Sequence, residues 1–145
     1  MKNIDAHITA LESLLIRFHQ VGRELPPLDR LGITPAQVVY LDFLAKHPGC
    51  TLSELTDAVQ FKPASVSVMV SNLESKALLV KESDSEDNRL VRIRLTERGD
   101  AVVEEMRAFR RSKLKQMLRN LDETEQAMFI ELFERALQTD QKSEE

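Results

Sequence analysis

The stretch Lys62-Pro63-Ala64-Ser65-Val66-Ser67-Val68-Met69-Val70-Ser71-Asn72-Leu73-Glu74-Ser75-Lys76-Ala77 leads straight into Leu78-Leu79-Val80-Lys81 and, past a polar loop, Val91-Arg92-Ile93-Arg94-Leu95. It decides the fold. Val66, Met69, Val70 and Leu73 recur at three- and four-residue steps, the period of a helix with one buried face. Pro63 suits the first helical position, where a helix leaves its N–H donors unpaired anyway. From Leu78 the period falls to two, and Val91–Leu95 alternates strictly, with three apolar residues inward and two arginines outward. Glu82-Ser83-Asp84-Ser85-Glu86-Asp87-Asn88-Arg89-Leu90 lies between the two strands. It is too polar for a core and too long for a tight turn, so it reads as the tip of an extended hairpin, a wing.

Working outward, Thr34-Pro35-Ala36-Gln37 and Thr51-Leu52-Ser53-Glu54 each place a threonine three residues before Gln or Glu. That is the capping-box signature of a helix start. The first opens a helix over about Pro35–Lys46, stopped by His47-Pro48-Gly49, and the second a short helix to about Val59. With the helix from Pro63 to Lys76 they make a helix-turn-helix pattern whose second member exposes small polar side chains. Thr96 caps the next helix, with Gly99 in its first turn, where close approach to the hairpin favours a missing side chain. Apolar positions carry that helix to about Asn120, and Asp122-Glu123-Thr124-Glu125 opens a last one.

Long apolar stripes flank this unit. Ile8, Leu11, Leu14, Leu15, Phe18, Val21 and Leu25 mark a first helix over about Asp5–Leu25; Met128, Phe129, Leu132, Phe133, Ala136 and Leu137 mark the last. The order is α-α-α-α-β-β-α-α: a mainly α chain with a small β-hairpin. We expect a winged helix-turn-helix domain over 34–96 and a helical dimerisation region over 1–33 and 97–145. The stripes must be buried against something, and intertwining with a second copy suits a reader of two-fold symmetric DNA. Residues 139–145 form a short polar tail expected to fray.

Composition narrows the function. The 145-residue chain is 42% hydrophobic and 30% charged, the balance of an ordinary globular protein. No run of about 18 apolar residues exists for a membrane span, and the first residues lack a signal-peptide core, which points to the cytoplasm. Cys50 alone excludes an intrachain disulfide framework and any multi-cysteine zinc site. It reads as a small, partly buried residue before a helix, with a redox-sensing thiol as the alternative. His7, His19 and His47 have no metal-ligand spacing, so neither metal nor cofactor is expected. With four glycines there is no phosphate-cradling loop and no nucleophile elbow, which argues against an enzyme. The net charge is −4, yet residues 60–98 hold seven Lys/Arg against six Asp/Glu and are the only net-positive third.

The chain resembles the MarR (multiple antibiotic resistance regulator) family over nearly its full length. The matching stretches are Leu31-Gly32-Ile33-Thr34-Pro35-Ala36-Gln37, Thr51-Leu52-Ser53-Glu54-Leu55, Ser65-Val66-Ser67 and Asn72-Leu73-Glu74-Ser75-Lys76-Ala77-Leu78. Most specific is Asp87-Asn88-Arg89 ahead of Leu95-Thr96-Glu97-Arg98-Gly99. The resemblance implies a triangular homodimer joined through the first helix and the last two. Many members repress promoters with palindromic sites and release DNA when a small anionic aromatic ligand or an oxidant arrives. Ala77 departs from the family's usual glycine, so that a left-handed helix cap there is either strained or replaced by another geometry. Lys81 stands where arginine is common, keeping a phosphate contact but losing the bidentate fork.

On this reading Lys62 and the helix N-terminus meet phosphate. Ala64, Ser65, Ser67, Val68, Ser71 and Asn72 face the duplex, with Val68 suited to thymine methyls and Asn72 to an adenine edge. Arg89 enters a narrow minor groove, where shape is read, and Asp87 holds it by an ion pair. The basic run Arg107, Arg110, Arg111, Lys113, Lys115 and Arg119 is expected to pair with the acidic last helix, within or across protomers, or to form a second DNA surface. From the family alone comes an effector cleft using Arg17, Phe18, Tyr40, Phe43 or Arg111. The rival reading is a winged-helix protein-interaction module that binds no DNA.

Overall fold

In the computed structural model, residues 2–20 and 26–138 are described. Val21, Leu25 and the tail 139–145 lie outside them. The elements are α1 (Lys2–Gln20), α2 (Leu28–Leu31), α3 (Pro35–Lys46), β1 (Cys50–Thr51), α4 (Leu52–Val59), α5 (Pro63–Ser75), β2 (Leu79–Ser83), β3 (Val91–Leu95), α6 (Glu97–Leu118) and α7 (Glu123–Leu137). The mainly helical class with a winged hairpin is as expected, and two short elements add to the order. One is α2, a single turn ending in Gly32 with φ 67, a left-handed cap that glycine adopts without penalty. The other is β1, whose Cys50 and Thr51 pair with Ile93 and Arg92. The hairpin thereby becomes a three-stranded antiparallel sheet with β3 in the middle.

Three capping boxes form as the spacing predicts. Thr34 with Gln37, Thr51 with Glu54 and Asp122 with Glu125 each exchange both reciprocal hydrogen bonds. The first hairpin strand starts one residue later than expected. Leu78 is spent on the helix exit, its N–H bonding to the Leu73 carbonyl at 3.1 Å, and pairing then runs on to Ser83 opposite Val91. Val91, expected inward, is exposed, while Ile93 is fully buried.

Contacts divide the chain into two compact units, Leu25–Arg110 and Met1–Glu24 with Arg111–Glu145. The first holds the core. Tyr40, Leu41 and Leu44 of α3, Leu55 of α4, Val66, Val70 and Leu73 of α5, Leu78, Leu79, Ile93 and the start of α6 pack together. Each fully buried aliphatic side chain contributes about 1.5–3 kcal/mol. In the second unit no described residue of α1 or α7 is buried. Ile8, Leu11, Leu14 and Leu15 on α1 and Met128, Leu132, Phe133 and Leu137 on α7 are each about half exposed or more. No helix of the described residues is long and apolar enough to cross a membrane.

Two backbone positions govern the junction of α5, hairpin and α6. Thr96 Oγ1 accepts the Gly99 N–H at 3.0 Å and donates to the Ala77 carbonyl at 2.7 Å, while the Thr96 N–H bonds to Leu78 O. Gly99 sits so close that a Cβ there would lie 2.0 Å from that same carbonyl oxygen. Ala77 adopts the left-handed conformation at φ 57 despite its side chain, so the family's glycine geometry is kept and the strain accepted.

The wing has its own clamp. Asp84 Oδ2 takes the Arg92 Nε–H at 2.5 Å, and Oδ1 takes the N–H groups of Glu86 and Asp87 at 2.8 and 3.2 Å. Arg92 Nη1 also reaches the Gly49 carbonyl at 3.0 Å, tying the wing root to the turn before β1. The Arg92 hydrogen bond and the two backbone donors hold the Asp84 carboxyl down at about 2.

Gly99→Ala is expected to destabilise by about 2 kcal/mol or more, because main chain must move. Ala77→Gly is expected to stabilise by about 1 kcal/mol through relief of the left-handed penalty. Urea denaturation of both variants checks the opposite signs. For Asp84 the depressed pKa means that its contribution is complete above the ordinary carboxylate range and is lost as pH falls toward 2. An NMR titration should find that carboxyl near 2 in the wild type and closer to its ordinary value in Arg92→Ala; the same ordinary value in both proteins would refute the clamp.

Candidate nucleic-acid interface

The outer face of α5 follows from the period of its inner one. With Val66, Val70 and Leu73 buried and Met69 partly so, Ala64, Ser65, Ser67, Val68, Ser71 and Asn72 are all exposed. Val68 is 71% exposed, the apolar member of this polar face. Lys62 is the N-cap of α5 and exposed, and its side chain makes no capping bond. The turn before it is set by Gln60, whose left-handed backbone (φ 56) ends α4.

The wing differs from expectation in atomic detail. Asp87 does not pair with the Arg89 guanidinium. Its Oδ1 accepts the Arg89 backbone N–H at 3.0 Å, the local turn that a short aspartate side chain favours. Arg89 is exposed, and among the described residues its guanidinium enters no ion pair. Lys81 pairs with Glu74 at 3.3 Å, and Arg94 with Glu82 at 3.3 Å. Thus Glu82 and Asp84, awkward neighbours for phosphate, are each matched by an arginine.

Within one chain the first members of the basic run pair elsewhere than on the last helix. Among the described residues no ion pair joins it to Glu123, Glu125, Glu131 or Glu134. Instead Arg107 bonds Glu104 on its own helix, and Arg110 grips Asp42 of α3 with both terminal guanidinium nitrogens, Nη1 and Nη2. That hydrogen-bonded pairing lowers the Asp42 pKa and raises that of Arg110. Lys113 donates to the His19 carbonyl at 3.0 Å and lies 5.8 Å from the Phe18 ring centre. Arg111, Lys115 and Arg119 line an open groove of about 750 Å³ with Leu114, Leu118 and Gln126.

The five residues considered for an effector fall in both units. Arg17, Phe18 and Arg111 belong to the terminal one, with Arg17 exposed and Phe18 half-buried. Tyr40 and Phe43 belong to the other. Tyr40 is 2% exposed and its ring stacks parallel to that of Phe61 at 6.4 Å, while Phe43 stacks on His47 at 4.2 Å. Cys50 is buried in β1, and burial pushes its thiol pKa up, away from the reactive thiolate. Among the described residues no group of His, Cys, Asp and Glu is arranged to hold a metal ion.

Sequence reading missed Gln37 as more than a cap. It is 4% exposed, and its amide bonds Asn72 and Lys76 on and just after α5 at 2.7 and 3.0 Å. Asn72, expected to face outward freely, is thus held from behind. The capping box pointed to Gln37, but nothing local pointed to its partners.

Comparison with known proteins now bears on this geometry. Residues 31–90 match the model of the MarR family. The HTH-type transcriptional repressor MdtR of Bacillus subtilis (strain 168) is 33% identical over 147 residues, covering 98% of this chain and 95% of that protein. The crystal structure of YusO from Bacillus subtilis agrees with a TM-score of 0.75 at 27% identity, over 93% of this chain and 94% of that one. A point mutant of MepR from S. aureus bound to an oligodeoxyribonucleotide gives 0.64 at 27% identity, over 87% and 95%. A relative aligned nearly end to end, together with a family match running from α2 through the wing loop, places the chain: it belongs to the MarR family of transcription regulators.

Proposed function

We propose that the protein is a homodimeric, sequence-specific double-stranded DNA-binding repressor of palindromic promoter sites, acting in the cytoplasm and carrying no catalytic centre. The observation that carries this is the exposed outer face of α5, small, polar and capped by Lys62, in a member of this family. Residues 34–96 read the duplex, α5 in the major groove and the wing in the minor groove. Lys62 and Lys81 take phosphates. Ala64, Ser65, Ser67, Val68, Ser71 and Asn72 face base edges, and Val68 gains burial against a thymine methyl. Arg89 enters the minor groove, its guanidinium in no ion pair among the described residues and its backbone N–H braced by Asp87. MdtR is described as a repressor and the MepR mutant was crystallised on an oligodeoxyribonucleotide, which supports the same reading for this chain.

Residues 1–33 and 97–145 form the dimer region. The apolar stripes of α1 and α7, exposed in a single chain, are the surfaces a second copy covers. A small aromatic or anionic effector releasing the DNA fits the family. Its candidate contacts in the terminal unit are Arg17, Phe18 and Arg111, with the basic groove at Arg111 suited to an anion, and those in the winged unit are Tyr40 and Phe43.

Three experiments test this. Binding to a palindromic duplex should weaken steeply as salt rises, because phosphate contacts release counterions; a winged module that binds only proteins shows no binding at all. Arg89→Ala should weaken operator binding about tenfold or more at fixed salt, while sedimentation still reports a dimer. Unchanged affinity would remove the wing arginine from the interface. Phe133→Asp should instead yield monomers by sedimentation.

A further inference from the structure

Gln37 is the one buried amide side chain among the described residues. A buried amide must place its oxygen on donors and its nitrogen on acceptors, and its partners decide which way round it lies. The Gln37 Oε1 atom takes the Lys76 ammonium at 3.0 Å and the Thr34 N–H at 3.1 Å. Neither partner can accept a hydrogen bond, so this end of the amide can only be oxygen. Lys76 is itself anchored on the Gly32 carbonyl at 2.7 Å. The other end, Nε2, therefore donates, and it donates to Asn72 Oδ1 at 2.7 Å. The polarity passes outward. With its oxygen engaged by Gln37, Asn72 is left with the Nδ2 amino group, which has no partner among the described residues and sits on the exposed face of α5.

We propose that Gln37 is a positioning residue that fixes the amide of Asn72 oxygen-inward, so that Asn72 meets DNA as a hydrogen-bond donor and selects an acceptor. This rests on the DNA-binding reading above. It revises the adenine expectation, since the two-pronged adenine contact needs an outward oxygen as well as an outward amino group. A donor alone suits guanine N7 or O6, adenine N7, thymine O4 or a phosphate oxygen, and it disfavours the amino group of cytosine. The relay spans Gly32, Thr34, Gln37, Asn72 and Lys76, joining the start of α3 to the end of the recognition helix.

The test is selection of binding sites from a random duplex library with the full-length protein and three variants. Asn72→Asp presents a carboxylate oxygen outward, and Gln37→Glu obliges Asn72 to turn its amino group inward and its oxygen outward. Both should lower affinity for the wild-type site about tenfold, the scale of one lost contact. If the acceptor is a base, both variants should shift preference at one position of each half-site toward cytosine, and Asn72→Ala should leave that position undiscriminated. If it is a phosphate, both should lose affinity with no change of preference. A shared shift is one that a merely structural role of Gln37 would not produce. Should Gln37→Glu fail to fold, Gln37→Met takes its place: freed from the Gln37 amide, Asn72 can present either end and discrimination at that position should relax, whereas undiminished discrimination would overturn the positioning role.

Wild-type affinity and preference retained by the folded variants would overturn the proposal while leaving the DNA-binding reading intact. Wild type enriching no site would overturn that reading and the selection by Asn72 together. The orientation itself is checked without DNA by NMR. The side-chain amide protons of Asn72 should exchange faster than those of Gln37 in the wild type and become protected in Gln37→Glu; protected Asn72 protons in the wild type would refute it.

Discussion

The main-chain carbonyl of Leu78 is the point on which the winged unit closes. It accepts the Thr96 N–H at 3.1 Å, and Gly99 presses against it with no room for a side chain. Thr96 meanwhile bonds the carbonyl of Ala77 and caps α6. The exit of α5, the root of the hairpin and the entry of α6 thus share one small volume. Beyond it the sheet continues directly, Leu79 opposite Leu95. The direction in which α5 projects is set at this junction, before any surface residue matters.

Elements governed by neighbours a few residues away were legible in the chain. The three capping boxes and the buried face of α5 follow from local spacing and formed where that spacing put them, whereas the alternation of β3 put Ile93 inside but left Val91 exposed. The short elements were not legible, for a definite reason. Four residues of α2 and two of β1 show no period: α2 is a local turn that packs Leu28 and Leu31 against the core, and β1 depends on Ile93 and Arg92, over forty positions away. The site divides in the same way. The outward set on α5 could be read because its inward set could. The Asp87–Arg89 pair was read with the right partners and the wrong atoms, since a two-residue separation favours the backbone N–H over the guanidinium. Gln37 and Asn72 lie 35 residues apart, and their relation depends on a third residue, Lys76.

The net charge of −4 also reads differently once partners are known. Arg92, Arg94, Lys81, Arg110 and Arg30 are matched by Asp84, Glu82, Glu74, Asp42 and Glu105. Exposed pairs of this kind stabilise little individually. Their effect here is to orient side chains and to remove charge from consideration. Lys62 and Arg89 stand outside any ion pair among the described residues, one at each end of the surface assigned to DNA. A modestly acidic protein can therefore present positive charge at the surface assigned to DNA, because the other cations of the wing sheet, Lys81, Arg92 and Arg94, are already compensated at short range.

The sheet has a further consequence for how such a protein survives at high local concentration. Since β3 lies between β1 and β2, β2 is an edge strand, and its outer N–H and C=O groups are a template for another chain's strand. It is only five residues long, and at its middle stand Lys81 and Glu82, each held beside the strand by an ion pair. A strand approaching that edge would have to strip water from two charges and break both pairs. The side chains flanking the wing therefore also act as a guard against edge-to-edge aggregation, a task independent of any ligand.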